Sequence, residues 1–230
     1  MSHLHIPDGV LPPLLWVPCL ALALLLLVLG ARATRRSPLR QVAFRGALGA
    51  LVLAAMSFQV PLGPVEYHLS LLGPVGVLLG PGAAFQVLFV VCAMLALVGH
   101  GGLTVIGVNA LVLGASAALA QPVFVRLART RGPGLAMAGA TAVSQALAGA
   151  LWVAVVWLAL RAHPGAPAAH DHGGRLQLVA GVAAFLWLFG LVTETLVAFG
   201  IGRFLARVKP ELLPAPRAPL PAAAAAAAAR

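Results

Sequence analysis

The chain has 230 residues, of which 61% are hydrophobic and 9% charged, and its mean hydropathy is +1.01. Because a soluble domain carries about 25% charged residues, these values exclude a soluble enzyme and a disordered chain and predict a polytopic membrane protein. The net charge of +10 fits basic residues at the cytoplasmic edges of membrane helices better than it fits a nucleic-acid partner. We therefore expect a multi-pass protein of the cell (cytoplasmic) membrane, surrounded by lipid, that binds no nucleic acid.

The first two spans are predicted at residues 11–30 and 42–60. The first run is long enough to cross a bilayer and lacks the basic leading region of a cleavable signal peptide. Five arginines follow it: Arg32, Arg35, Arg36, Arg40 and Arg45. By the positive-inside rule this loop is cytoplasmic, so the N-terminus is expected outside.

The middle of the chain is predicted to cross three times. Glycine-containing breaks at residues 80–82 and 99–102 divide it into pieces at 69–79, 83–98 and 103–120. An odd number of crossings is needed because the next cytoplasmic marker is the cluster Arg126, Arg129 and Arg131. The first piece has only about 11 residues and is short for a span. It must be extended by its flanks or partly buried by neighbouring helices, and a re-entrant segment is the alternative.

Two more spans are predicted at residues 134–160 and 176–205, separated by a polar external loop and followed by Arg207 and Lys209. The predicted fold is therefore an all-α helical bundle of about seven spans with an external N-terminus and a cytoplasmic C-terminus. Residues 1–210 are expected to form one transmembrane domain. Residues 211–230, rich in Pro and Ala, are expected to be a disordered cytoplasmic tail.

This topology places all histidines on the extracytoplasmic side. They are His3, His5, His68, His100, His163, His170 and His172. Histidine is the commonest metal ligand among side chains, so seven of them on one face indicate metal handling. For His163, His170 and His172, a low-affinity collecting patch and a merely solvated loop are equally good interpretations.

Three motifs contain the remaining histidines. A free N-terminus near His3 or His5 can chelate a metal through amine, amide and imidazole nitrogens, a planar donor set that suits Ni²⁺ or Cu²⁺. The alternative interpretation is a polar N-terminal tail without a function. His68 lies in a Glu-Tyr-His-Leu-Ser-Leu-Leu-Gly-Pro stretch, and His100 in Gly-His-Gly-Gly-Leu-Thr, with Gly107 and Asn109 shortly after.

Together these motifs resemble the CbiM/NikM family, the substrate-binding membrane subunits of energy-coupling-factor transporters for cobalt and nickel. The His-Ile-Pro-Asp-Gly segment from His5 is similar to the family's opening, and the segment from His100 to Asn109 is similar to its most specific internal signature. The resemblance covers roughly residues 3–210.

The resemblance implies an N-terminus inserted into the bundle from outside. It also implies a metal held by the terminal amine, by the amide and imidazole of the second residue, matching His5, and by a helix histidine, matching His68. His100 and Asn109 would lie near the site. Thr104, in the same signature, and Glu66, the acid nearest His68 in sequence, are candidates for the surroundings.

The sequence departs from the family at its start, where Met1-Ser2-His3-Leu4 precedes His5. Three hypotheses remain open. Leu4 is the true initiator, decoded as Met, which makes His5 the second residue; or Met1 is trimmed, which makes His3 the second residue; or Met1 stays and the amine, two amides and His3 form a four-nitrogen site without His68.

The implied function is capture of Ni²⁺ or Co²⁺, as transported substrate, by the specificity subunit of an ATP-driven importer. The chain contains no Gly-x-x-x-x-Gly-Lys motif, so it is not expected to be an enzyme. Its implied partners are a transmembrane coupling subunit, two cytoplasmic ATPase subunits and a small accessory membrane protein. Cobalt would serve cobalamin biosynthesis. A partner-independent metal channel is the alternative, followed by an intramembrane metalloprotease, for which the His-Glu-x-x-His motif is missing.

One acid, Glu194, falls inside the last predicted span. A carboxylate at that depth costs on the order of 2.5–3.5 kcal/mol on insertion scales, so it is expected to face the bundle and to be paired. The sequence does not identify the partner.

Overall fold

The computed structural model describes residue 6 and residues 8–62, 65–162 and 173–215. The elements in chain order are α1 (Pro13–Thr34), α2 (Leu39–Ser57), β1 (Val60–Leu62), β2 (Val65–Tyr67), α3 (Leu72–Leu97), α4 (Ile106–Ala118), α5 (Ala120–Leu127), α6 (Pro133–Ala162) and α7 (Gly173–Val208). Within these ranges six helical stretches are long and apolar enough to cross a membrane, one of them formed by α4 and α5 together. The predicted all-α polytopic fold is confirmed, with one addition, the antiparallel hairpin β1–β2.

Prolines mark several helix starts. Pro13 opens α1, Pro38 immediately precedes α2, and Pro133 opens α6. The first N–H groups of a helix have no partner within it, so a residue without an N–H loses nothing there. The observed helix ends accordingly lie within a few residues of the predicted spans.

Helix α3 reverses direction at Gly80. The Val77 carbonyl oxygen accepts a bond of 3.1 Å from the Gln121 side chain, and Gly76 packs against Ala117. Further along the chain, Phe85 packs against Gly114. Nine residues of straight helix would separate Gly76 and Phe85 by about 13 Å, yet their partners on α4 are less than one turn apart.

The cause of the reversal lies in the local sequence. Gly80 has φ 74° and ψ 170°, outside the helical region, in a part of conformational space that is essentially restricted to glycine. Pro81 then disfavours a helical conformation at the residue before it. The predicted break at residues 80–82 is therefore present, and the predicted pieces 69–79 and 83–98 are two segments of one broken helix. The first segment, residues 72–79, is called the half-helix below.

The centre of the bundle is formed by α3, α4 and α6. The main core joins Leu72 and Val75 of the half-helix to Leu88 and Leu95 of the returning segment and to Leu113 of α4. Helices α1 and α2 bury few of their apolar side chains, as expected of helices that face lipid. The half-helix, too short to span alone, is thus enclosed by longer helices.

The described bundle has two chemically different ends. Residues 98–105 and the start of α1 lie at one end, which we call the loop end, because Asp8 is bonded to Leu103 and Thr104 there. The other end carries Arg126, in the last turn of α5, and Arg203, in α7. We call it the arginine end. By the positive-inside rule the arginine end is expected to be cytoplasmic. After α7, a 3₁₀ turn spans Pro210–Leu212. Leu213 packs against the core cluster that contains Phe124. Residues 216–230 of the predicted tail lie outside the described part.

Close packing of the half-helix on α4 gives the first prediction. A Cβ at Gly76 would overlap the Ala117 carbonyl oxygen, whereas a Cβ at Gly82, in the same helix, would meet its nearest atom at 3.8 Å. We expect Gly76→Ala to lower the free energy of unfolding by about 1–3 kcal/mol, and with it the midpoint of thermal unfolding in detergent. Gly82→Ala is the matched control and should leave it unchanged or slightly raise it. Equal midpoints for the two variants would contradict the packing.

Candidate metal-binding site at the loop end

The described residues that precede α1, residue 6 and residues 8–12, are called the N-terminal segment here. Asn109 bonds this segment to the first turn of α4. The Ile6 N–H donates to Asn109 Oδ1 at 3.0 Å, and Asn109 Nδ2 donates to the Ile6 carbonyl oxygen at 3.2 Å. Both residues are buried. A carboxamide offers one acceptor and two donors, so Asn109 pairs with Ile6 as a neighbouring strand would. This pair fixes the backbone of Ile6 beside the first turn of α4.

A second anchor lies two residues further along, at Asp8. Its carboxylate accepts hydrogen bonds from the backbone N–H groups of Leu103 at 2.9 Å and Thr104 at 2.8 Å and from the Thr104 hydroxyl. The Thr104 hydroxyl, followed by the Thr104 N–H, holds the pKa of Asp8 below its ordinary value. A Cβ on Gly102 would lie 2.5 Å from the Asp8 backbone nitrogen, so the glycine permits this approach.

Apolar contacts complete the seat of the N-terminal segment. Ile6 and Leu11 are buried together with Val105, Val108 and Ala159. Side chains of α1, α4 and α6 therefore surround the segment, and the two anchors are polar contacts at its edges. The segment packs as part of the bundle, and not as a solvated tail.

His68 follows the hairpin and is 2% exposed. The Tyr67 ring beside it packs edge-on against Phe189 of α7, with ring centroids 5.2 Å apart. Residues 68–71 connect β2 to the half-helix, and we call them the His68 segment. His68 is therefore shielded from water at the point where the chain passes from β2 to the half-helix.

Glu194 supplies the partner that the sequence could not identify. Its Oε1 accepts a hydrogen bond from the Ser70 N–H, and its Oε2 accepts one of 2.9 Å from the Leu71 N–H. The carboxylate is 3% exposed. It therefore caps the half-helix from a different helix, where the unpaired N–H groups and the helix dipole favour a negative charge.

Gln145 of α6 extends this buried network. Its Nε2 donates to Ser70 Oγ at 2.7 Å, and the Trp187 indole N–H donates to the Gln145 backbone oxygen at 3.2 Å. The His68 segment is thus bonded to both α6 and α7.

The N-terminal segment and the His68 segment share their surroundings. Asn109 holds Ile6, and its neighbour Ala110 belongs to the core cluster that contains Leu72. Val155 of α6 packs against both clusters. Leu71 packs against the cluster that contains Leu72 and Ser70 is bonded to Gln145 of α6, so both segments contact α4 and α6.

The predicted site residues are placed as follows. Asn109 and Thr104 hold the N-terminal segment, and His68 is buried beside the half-helix. His100 lies in the loop after α3, and its Nδ1 atom is buried without a hydrogen-bond partner among the described residues. Glu66 lies in β2, and its side chain is outside the described part. His3, His5, His163, His170 and His172 also lie outside it.

Within the described ranges, no group of three or more His, Cys, Asp or Glu side chains is placed to hold a metal ion. Two polar residues of the network around Glu194, Gln145 and Ser70, were not predicted from the sequence as part of the site. A signal existed for both, because each is a polar residue in or beside an apolar run, where an unpaired polar group is costly. Their partners are distant in sequence and were not predictable from spacing.

Comparison with known proteins agrees with this architecture. A family model described as the cobalt uptake substrate-specific transmembrane region matches residues 5–212. A solved structure described as a transition metal transporter matches at 20% identity and a TM-score of 0.72, over 89% of this chain and 93% of its own. A truncated transition metal transporter matches at 20% identity and a TM-score of 0.69, over 90% and 98%. At this identity the two structures show a shared fold. No curated protein matched in a sequence comparison.

Removal of the Asn109 anchor should release the N-terminal segment. In Asn109→Leu the Ile6 N–H and carbonyl lose their partners, and each buried unpaired group costs about 1–3 kcal/mol. We expect faster amide hydrogen exchange at residues 6–11. Ser116→Ala in the same helix removes only a local bond to the Val112 carbonyl and serves as the control. Equal exchange in the wild type and Asn109→Leu would show that Asn109 is not the anchor.

Proposed function

Because the chain belongs to the CbiM family of cobalt-uptake substrate-specific transmembrane regions, we propose that it captures Ni²⁺ or Co²⁺ from the extracytoplasmic side for ATP-driven uptake. The observation that carries this proposal is the seating of the N-terminal segment in the bundle through Asn109 and Asp8, in a chain that also buries His68. A tail without function would not need two anchors and an apolar seat.

The proposed ligands are nitrogen atoms. His68 supplies one imidazole, and residues 1–5 supply the terminal amine, a backbone amide and a second imidazole. In support of His5 as that imidazole, the family match begins at residue 5 and His5 immediately precedes Ile6, which is anchored to Asn109. His3 takes this role if Ser2 is the first residue of the mature chain. A planar nitrogen set suits Ni²⁺, and imidazole also suits Co²⁺.

Two acids among the described side chains, Glu194 and Asp8, have other roles. Glu194 caps the half-helix with both oxygens, and Asp8 is engaged by Leu103 and Thr104. Neither is free to act as the general base beside a metal that a metalloprotease needs. The half-helix and the Glu194–Gln145 network also occupy the bundle interior, which favours a capture site over an open channel.

Energy for uptake is proposed to come from other chains, because the sequence contains no Gly-x-x-x-x-Gly-Lys phosphate-binding motif. The proposed partners are a transmembrane coupling subunit, two cytoplasmic ATPase subunits and a small accessory membrane protein, in the cytoplasmic membrane. His163, His170 and His172 remain candidates for a low-affinity collecting patch on the outer loop.

Calorimetric titration of the purified protein with Ni²⁺ and with Co²⁺ tests the ligand set. We expect His68→Ala to weaken binding by at least about tenfold, since it removes one direct ligand. Of His5→Ala and His3→Ala, only the variant at the true second residue should have a comparable effect. The triple variant His163→Ala/His170→Ala/His172→Ala is the control and should retain the tight site.

Intact-mass measurement identifies the N-terminal residue in the same sample. A chain beginning at residue 4 agrees with His5 as ligand, and one beginning at Ser2 agrees with His3. Undiminished binding by His68→Ala would remove His68 from the site.

Uptake of radioactive nickel or cobalt distinguishes an importer subunit from a channel. Cells or vesicles with the coupling and ATPase subunits should accumulate metal in an ATP-dependent manner, and the chain alone should not. Partner-independent flux along the metal gradient would instead support the channel alternative.

A further inference from the structure

We infer that Glu194 of α7 is a positioning residue for the metal site, which it serves by holding the His68 segment in place. The inference rests on the proposed function, in which His68 is a ligand. It adds that the affinity for the metal depends on a carboxylate that does not bind the metal.

The contacts show how Glu194 acts on His68. Its two oxygens accept the backbone N–H groups of Ser70 and Leu71, which follow His68 by two and three residues. Two residues of chain span at most about 7 Å, so a fixed Ser70 leaves the His68 backbone little freedom. The Tyr67 ring contact with Phe189 holds the other side of His68, and it too is made to α7.

The backbone at Leu71 supports the same conclusion. Leu71 has φ 54° and is the only described residue other than glycine with a positive φ. Such a conformation persists only where the surroundings hold it. The bond from the Leu71 N–H to Glu194 is one such restraint, and the Leu71 carbonyl accepts the first helical bond, from the Val75 N–H at 3.0 Å. Loss of the carboxylate would let Leu71 relax and would shift the preceding residues.

Both carboxylate oxygens of Glu194 accept bonds from backbone amides at the start of the half-helix, where a negative charge is favourable. We therefore expect Glu194 to act on metal binding through the His68 segment. Gln145 gives a second, weaker hold, because it bonds the Ser70 side chain and not the backbone.

A double-mutant cycle tests this route. Affinity for Ni²⁺ is measured in wild type, Glu194→Gln, His68→Ala and the double variant. We expect Glu194→Gln to bind about 10- to 100-fold more weakly than wild type. In the His68→Ala background, where only the N-terminal nitrogens remain, the same substitution should change affinity by less than about twofold. An equal loss in both backgrounds would show a general structural effect and would overturn the inference.

Thr195→Val is the matched control. It lies next to Glu194 in α7, and its hydroxyl has no hydrogen-bond partner among the described residues, so it should keep the wild-type affinity. If Glu194→Gln does not fold, Glu194→Asp takes its place in the cycle, because a shorter carboxylate retains the charge and loses reach. If His68→Ala leaves no measurable affinity, the absorption bands of bound Ni²⁺ are compared between the variants instead. We expect the bands to shift in the Glu194 variant and not in Thr195→Val. Unchanged bands in the Glu194 variant would contradict the inference.

Two failures are distinguishable. A wild-type protein whose binding does not need His68 refutes the proposed ligand set. A wild-type protein whose binding needs His68 but not Glu194 leaves that ligand set intact and refutes only the positioning role.

Discussion

Backbone amides that lie within a membrane and outside a helix must find partners in the protein, because no water is there to bond them. The His68 segment and the reversal at Gly80 depend on this constraint. Glu194 satisfies the amides of Ser70 and Leu71, and Gln121 satisfies the Val77 carbonyl. Each irregular stretch is therefore hydrogen-bonded to a side chain of a neighbouring helix. These bonds permit His68 to be buried in a segment that is not helical.

The backbone groups of the N-terminal segment find their hydrogen-bond partners in a different way. Asn109 imitates a peptide group and pairs with both polar atoms of Ile6, while Asp8 uses the amides of the glycine-rich loop after α3. The two arrangements meet on α4 and α6. A proposed site between them would have one wall that belongs to the bundle and another that is the entering chain itself, so capture and the seating of the N-terminus would be coupled.

Much of the fold was predictable because hydropathy and arginine placement are local signals. The break near Gly80 was visible as well, since glycine and proline there exclude a regular helix. The reversal itself was not predictable, because it depends on packing against Ala117 and Gly114. The site was predictable only in its residue types. The Ile6–Asn109 and Ser70–Glu194 bonds join residues 103 and 124 positions apart, and no periodicity in one sequence specifies such pairs.

The lowered pKa of Asp8 has a consequence for behaviour in acid. The stabilising effect of a carboxylate whose pKa is lowered by folding is complete above its ordinary value near 3.8 and is lost only as the pH falls through the folded-state pKa. The bonds from the loop after α3 to Asp8 would therefore stay closed in mildly acidic surroundings. The residues just before α1 would keep their place at the loop end there, whatever happens to groups that take up protons at higher pH.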